Sequence, residues 1–265
     1  MTKRIITLTT DYGTQDHYTA VLKGVILALA PDVRIVDVTH DIPPHDVAGG
    51  AFVLSQIWSW FPAGTIHVAV VDPGVGSQRR VLVGRYGDSL LVVPDNGLLT
   101  FVHREHPVEA LHVAEDRRFF LSRVSSTFHG RDVLAPLAAH LALGVRPDRF
   151  GRSAERIELL DIPFRAVRSG EGFAGHVLHV DRFGTLVTNV QASQLDETPG
   201  RAGAWHVSVD GVDLGALKAT FADVPKGEPV AFVGGGGFVE IAVNQGRAVD
   251  RFGRNPPVDV RPVAV

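Results

Sequence analysis

Asp72 closes the apolar run "TIHVAVVD", and seven residues later, after "PGVGSQ", the chain reaches the paired arginines Arg79 and Arg80. A carboxylate, two glycines and two cations in so short a space can make a phosphate cradle, a tight turn or half of a catalytic site. As a phosphate loop the stretch is deficient, lacking the Lys-Ser/Thr of a P-loop and the third glycine of a dinucleotide fingerprint. Asp11 in "TTDYGTQDHY" stands where a first strand hands over to a helix. A carboxylate there can hold a ribose diol through its two acceptor oxygens, or cap the helix, the commoner role of Asp at that place. "THDIPPHD" packs His40, Asp41, His45 and Asp46 into eight residues. With Asp11, Asp16 and His17 these could supply the hard ligands of a metallo-phosphoesterase. Their spacing fits no zinc or di-metal pattern, and Pro43-Pro44 divides the pairs, so a turn with Asp46 as helix cap is the favoured reading. His129 in "STFHGRD" precedes a predicted helix, and a lone histidine is more often structural. Four successive glycines, Gly234 to Gly237, can wrap a carboxylate with their amides or make a wide hairpin turn.

Positioning these residues requires strand ends. Arg4 to Thr9 is β-rich, Tyr18 to Leu29 has helical spacing, "DVRIVDVTHDIPP" holds a second strand, and Asp46 to Phe61 reads as a helix. The third strand, in "GTIHVAVVDPGVG", is continuously apolar, as in a strand buried on both faces. This alternation predicts an α/β domain with a mostly parallel central sheet. Ligands of such sheets collect beyond the carboxyl ends of the strands, and Asp11, His40 with Asp41, and Asp72 each follow a predicted strand. "SLLVVPDNGLLTFV" and a helix over 130–144 continue the rhythm. From Gly172 the pattern changes to short alternating strands broken by glycines, which predicts a smaller all-β, barrel-like domain. The boundary falls in the polar segment 152–168, giving domains 1–160 and 161–265.

With 265 residues, 45% of them hydrophobic, 21% charged and a net charge of −3, the chain has an ordinary globular composition and no basic excess for nucleic acid. It has no cysteine, which excludes disulfides, thiol nucleophiles and thiolate-bound metals. No run approaches the length of a membrane span, and the first residues lack a secretory apolar core, so a cytoplasmic location is expected.

Read in order, "TLTTDYGTQDHYTAVLKG", "VDVTHDIPPHDVAGGA", "VVDPGVGSQRR", "VPDNGLLT", "STFHGRDVLAP", "VDRFGTLVTN" and "GFVEIAVNQG" resemble the S-adenosylmethionine hydroxide adenosyltransferases, relatives of the bacterial fluorinase and chlorinase. The match runs from about Arg4 to Gly246. The resemblance implies hydrolysis of S-adenosyl-L-methionine to adenosine and L-methionine, with water activated by Asp72, Arg79 and His129 attacking the 5' carbon of the ribose. It also implies that Asp11 holds the ribose hydroxyls and that Asp181 and Glu240 face the methionine ammonium. Phe183, Thr185 and Asn189 flank that segment, Thr185 standing where the family often has Asn. Gly235 stands near the methionine carboxylate, where relatives carry a serine, and backbone groups around Val243 and Gln245 meet the adenine. A homotrimer is implied, each site lying between the N-terminal domain of one subunit and the C-terminal domain of the next, with no metal and no cofactor besides the substrate. Asp72 and Val75 replace the halide-side tyrosine and threonine of the fluorinase, "TFHG" replaces its serine after "TFY", and its long insertion is missing, which disfavours halide transfer. The alternatives are a binding protein for S-adenosylmethionine or adenosine without turnover, and a halide-using adenosyl transferase.

Overall fold

The computed structural model describes residues 4–197 and 205–263. Contacts divide the chain into two compact units, Met1–Asp161 and Ile162–Val265. The first contains β1 (Ile5–Thr10), α1 (Tyr18–Leu29), β2 (Arg34–Thr39), α2 (Val47–Ile57), β3 (Ile66–Val70), β4 (Val81–Tyr86), β5 (Ser89–Pro94), α3 (Thr100–Glu105), β6 (Val108–Val113) and α4 (Ala135–Ala142). The strands form a six-stranded sheet in the order β2-β1-β3-β5-β4-β6.

The expectation of a mostly parallel sheet needs correction, because the sheet is mixed. β2, β1, β3 and β5 pair in parallel, whereas β4 pairs antiparallel with both β5 and β6. The cause is local: β4 and β5 are joined only by Gly87 and Asp88, with Gly87 at φ 51°, and so short a link can only reverse the chain. The parallel half is the part that matters for the site. Its order sets the ends of β2, β1 and β3 side by side, so residues 40, 11 and 72 leave the sheet along one rim.

The apolar run of β3 has the cause its composition suggests. Ile66, Val68 and Val70 enter a core with Leu22 and Ile26 of α1 and Leu137 and Leu141 of α4. Ala69 and Val71 enter a second core with Leu54 of α2 and Val102 of α3. Alternate side chains thus bury against helices on opposite faces.

A histidine is embedded within this strand. His67 of β3 is wholly buried, its Nδ1 lies 2.8 Å from Thr7 Oγ1, and the Trp58 ring sits 4.7 Å away. Burial pushes its pKa down to about 4, from near 6.5 in the unfolded chain. The unfolded state therefore takes up a proton below about pH 6.5 that the folded state refuses until about pH 4. Stability is expected to fall by about 3 kcal/mol as pH drops through that window. Urea unfolding at pH 7 and pH 4 checks this, and His67→Phe should flatten the acid limb.

The second unit contains β7 (Val167–Ser169), β8 (Gly172–Gly175), β9 (Val177–Val180), β10 (Leu186–Gln191), α5 (Ala192–Asp196), β11 (Trp205–Val209), β12 (Val212–Ala216), β13 (Pro229–Val233), β14 (Phe238–Val243), α6 (Ala248–Phe252) and β15 (Val258–Pro262). Two antiparallel sheets result, β13-β14-β10-β9 and β12-β11-β15-β8-β7. They share a core in which Val190, Val239 and Ile241 of one meet Phe173, Val207 and Val260 of the other. Among the described residues no helix is long and apolar enough to cross a membrane.

Candidate active site

Asp72 follows the last residues of the third strand, where the apolar run ends, and the chain then turns back on itself. Val75 N–H donates to the Asp72 carbonyl at 3.2 Å and Ser77 N–H to that of Gly74 at 3.1 Å. Gly76 has φ 79°, and a Cβ there would strike the Ser126 carbonyl, so the turn needs glycine both for its backbone angle and for its contact with the 125–126 loop. The result returns Arg79 to Asp72. Arg79 Nε donates to both carboxylate oxygens at 2.9 Å, and one Nη donates to Oδ2 at 2.5 Å. The two side chains are only 6% and 9% exposed.

That Nη also lies 3.0 Å from His129 Nδ1. A guanidinium has donors only, so Nδ1 must accept, and the neutral ring then carries its proton on Nε2. Burial, followed by the Arg79 charge, holds the pKa of His129 below its usual value, against the opposing pull of Asp72 and Asp132. Asp72, Arg79 and His129 therefore form one chain of contacts, its last link joining residues fifty apart in sequence.

The segment carrying His129 is braced from beneath. Asp132, 1% exposed, accepts Ser125 N–H at 2.8 Å and is paired with Arg131. Ser125 Oγ in turn accepts Phe128 N–H at 3.1 Å. Residues Gly130–Leu134 make a π-helical turn before α4, not the uninterrupted helix expected over 130–144. Such wide turns gather at functional sites. A Cβ on Gly130 would strike the Tyr12 hydroxyl, and the Tyr12 ring packs edge-on to Phe128 at 5.9 Å. Burial, then the Asp11 and Asp72 charges, raises the pKa of Tyr12 and keeps it protonated. Tyr12 and Asp132 were not among the expected site residues. The "DYG" and "GRD" contexts gave them away only as neighbours of Asp11 and His129.

Asp11 is not a helix cap. Helix α1 starts at Tyr18 with His17 at the cap position, and the Asp11 carboxylate instead accepts His45 N–H at 3.0 Å. Asp46 does cap α2, accepting Gly49 N–H at 2.9 Å. Of the "THDIPPHD" side chains Asp46 is thus spent on a cap, and the His40 ring lies against Thr10 and Asp37; among the described residues no three His, Asp or Glu side chains gather as metal ligands. Arg80, without an assigned role in the sequence, pairs with Asp95 and donates to the Arg156 carbonyl at 2.7 Å, bracing the start of β4.

In the second unit Asp181 Oδ1 accepts Thr185 N–H at 2.8 Å, closing the turn between β9 and β10. Phe183, at the tip of this turn, is 76% exposed, while Thr185 is buried. Burial, then the Asp181 charge, raises the pKa of Glu240, which lies over Gly234. Asp181 and Glu240 are thus near enough for each to feel the other's charge. Asn189 is 1% exposed and committed elsewhere: its Oδ1 accepts His176 N–H at 2.9 Å and its Nδ2 donates to the Pro163 carbonyl at 3.1 Å. The four glycines form the β13-β14 hairpin turn, with Gly237 N–H donating to the Gly234 carbonyl at 3.0 Å and open space where a Gly235 side chain would stand. Gln245 has φ 54° in the turn after β14, where Gly246 N–H donates to the Val243 carbonyl at 3.0 Å.

Fold and site define a class: an α/β unit whose parallel strand ends hold a buried aspartate–arginine pair against a neutral histidine, joined to an antiparallel β unit with its own acidic pair. The profile of the SAM hydroxide adenosyltransferase N-terminal domain matches residues 6–151, and that of the C-terminal domain residues 175–261. The chain belongs to this family. It is 42% identical to the (R)-S-adenosyl-L-methionine hydrolase of Salinispora tropica over 95% of this chain and 94% of the relative. It is 30% identical to a fluorinase of Actinoplanes sp. over 91% of each. An uncharacterized conserved protein of Thermotoga maritima has a crystal structure similar to this one, with a TM-score of 0.89, 34% identity and coverage of 97% of this chain and 99% of that one.

Proposed function

We propose that the protein hydrolyses S-adenosyl-L-methionine to adenosine and L-methionine by in-line attack of water on the ribose C5'. The observation that carries this reading is the Asp72–Arg79–His129 constellation in a chain of this family. The new bond forms from the water oxygen to C5' as the C5'–S bond breaks. Its electron pair stays on sulfur, so methionine leaves as a neutral thioether and needs no general acid. The water must lose a proton, and the directions of the hydrogen bonds support Asp72 as its acceptor. His129 Nδ1 is engaged by Arg79, and Nε2 already bears the ring proton. Asp72 accepts from Arg79 at both oxygens but retains lone pairs, a carboxylate having about four. Asp72 is therefore the base, Arg79 fixes it, and His129 fixes Arg79. A positioned base contributes roughly 10²- to 10⁴-fold, and alignment of water, C5' and sulfur about 7 to 11 kcal/mol.

Asp11 is assigned to the ribose hydroxyls, Asp181 and Glu240 to the methionine ammonium, Gly235 to the carboxylate, and the backbone at Val243 and Gln245 to adenine, with Phe183, Thr185 and Asn189 framing that segment. Asp181→Asn is expected to raise KM by about 10- to 100-fold with little change in kcat, because a charge-assisted contact is worth about 1.5–3 kcal/mol. Steady-state kinetics check it.

No resident metal or cofactor is part of this reading, which includes a cytoplasmic homotrimer and a barrel-like second unit. The bridge from Lys218 to Phe232, which ties the end of β12 to β13 across the two sheets, supports the last point. Sedimentation velocity tests the trimer. Chromatography for adenosine and methionine, run with each sulfonium epimer, tests the activity. Binding without product sinks it, and a halide-dependent 5'-halogenated nucleoside would replace it with the fluorinase-like reaction.

A further inference from the structure

The loop after β2 grips the turn that carries Asp11. The His40 imidazole is buried at the end of β2, with Nδ1 2.8 Å from Thr10 Oγ1. Its Nε2 lies 3.0 Å from Asp37 Oδ1, off the axis of a well-formed hydrogen bond but close enough for a carboxylate to favour a proton on that nitrogen. Asp37 is in turn held by Lys23 Nζ at 2.5 Å. With the proton on Nε2, Nδ1 is bare and accepts the Thr10 hydroxyl proton. The same hydroxyl oxygen accepts Tyr12 N–H at 3.2 Å. Polarity therefore runs one way, from the Tyr12 amide through Thr10 and His40 to Asp37.

The backbone completes the grip. The His40 carbonyl accepts Gly13 N–H at 2.7 Å, so one residue holds the chain on both sides of Asp11, at Thr10 and at Gly13. Five residues after His40, His45 sits in the left-handed region at φ 69° and donates its amide to the Asp11 carboxylate. A non-glycine residue in that region is held there by its surroundings, a form of strain that gathers at functional sites.

We propose that His40, oriented by Asp37 and acting through Thr10, is a positioning residue that sets the Asp11 carboxylate for a vicinal diol. The inference rests on the assignment of Asp11 to the ribose. A group misplaced by about 1 Å can lose on the order of 10²-fold in effect, and the orienting hydroxyl of Thr10 can be removed with almost no change of shape.

The test is calorimetric binding of adenosine and of 2',3'-dideoxyadenosine, which lacks the diol, to the full-length protein and its variants. Thr10→Val and Asp37→Asn are expected to lose about 10-fold or more of the preference for adenosine while binding the dideoxy compound as before. Thr10→Ser, which keeps the hydroxyl, should retain the preference. Full preference in Thr10→Val and Asp37→Asn overturns the proposal, as does an equal loss for both nucleosides, the mark of a merely structural role. An Asp11→Ala protein that still prefers adenosine overturns the ribose assignment itself.

Discussion

Asp72→Asn is expected to lower the rate of adenosine formation by about 10²- to 10⁴-fold while leaving the affinity for S-adenosyl-L-methionine within a few-fold of the unchanged protein. Asparagine keeps the shape and one acceptor oxygen, so the turn from residue 72 to 79 and its contact with Ser126 persist. What disappears is the proton acceptor. His129 cannot substitute, since its Nδ1 already receives the Arg79 Nη and its neutral tautomer has no second lone pair. The reaction would then proceed on alignment alone, which is why the loss has a floor. Single-turnover kinetics with a separate equilibrium binding measurement check the split, and turnover within tenfold of normal would remove Asp72 as the base. The companion His129→Gln should fall less, because it loosens Arg79 without removing the base.

Arg79→Met is expected to lower turnover by about 10²-fold through misplacement of the base, and to destabilise the protein by about 3–5 kcal/mol, the cost of leaving a buried carboxylate without its partner. The pair it breaks is nearly closed to solvent, with three donor contacts between the two side chains. The double variant Asp72→Leu/Arg79→Met should recover much of that stability without regaining the lost activity, since two apolar groups in place of a buried ion pair are often neutral or better. Denaturant unfolding of the wild type, the single and the double variant makes the comparison. A double variant no more stable than the single one would show that the site's ions are needed for the fold itself.

The places where sequence and structure part company share a cause. Helix starts and strand runs follow from local periodicity, so Tyr18, the α2 cap at Asp46 and the doubly buried β3 were legible in advance. The mixed character of the sheet was not, because antiparallel β4 depends on a two-residue link whose consequence is a pairing choice between strands. Asp11 left two local readings open, a helix cap and a ribose ligand, because its neighbours suit both. Only the arrival of His45, thirty-four residues on, gave its carboxylate a partner. Asn189, which the resemblance sets beside the substrate segment, has its amide held at both ends by the backbone at His176 and Pro163, a role no local pattern announces.

The types and order of the chemical groups belong to the chain: an aspartate at each of two strand ends, an arginine seven residues past one of them, a histidine fifty residues further, and no thiol anywhere. Those follow from composition and from periods of two and 3.6 residues, which are local properties. Which nitrogen of His129 is bare, which oxygen Arg79 reaches, and what holds Asp11 in place were decided by tertiary structure alone. Hydrogen-bond direction depends on partners from distant segments meeting within about 3 Å, and no local pattern encodes that meeting.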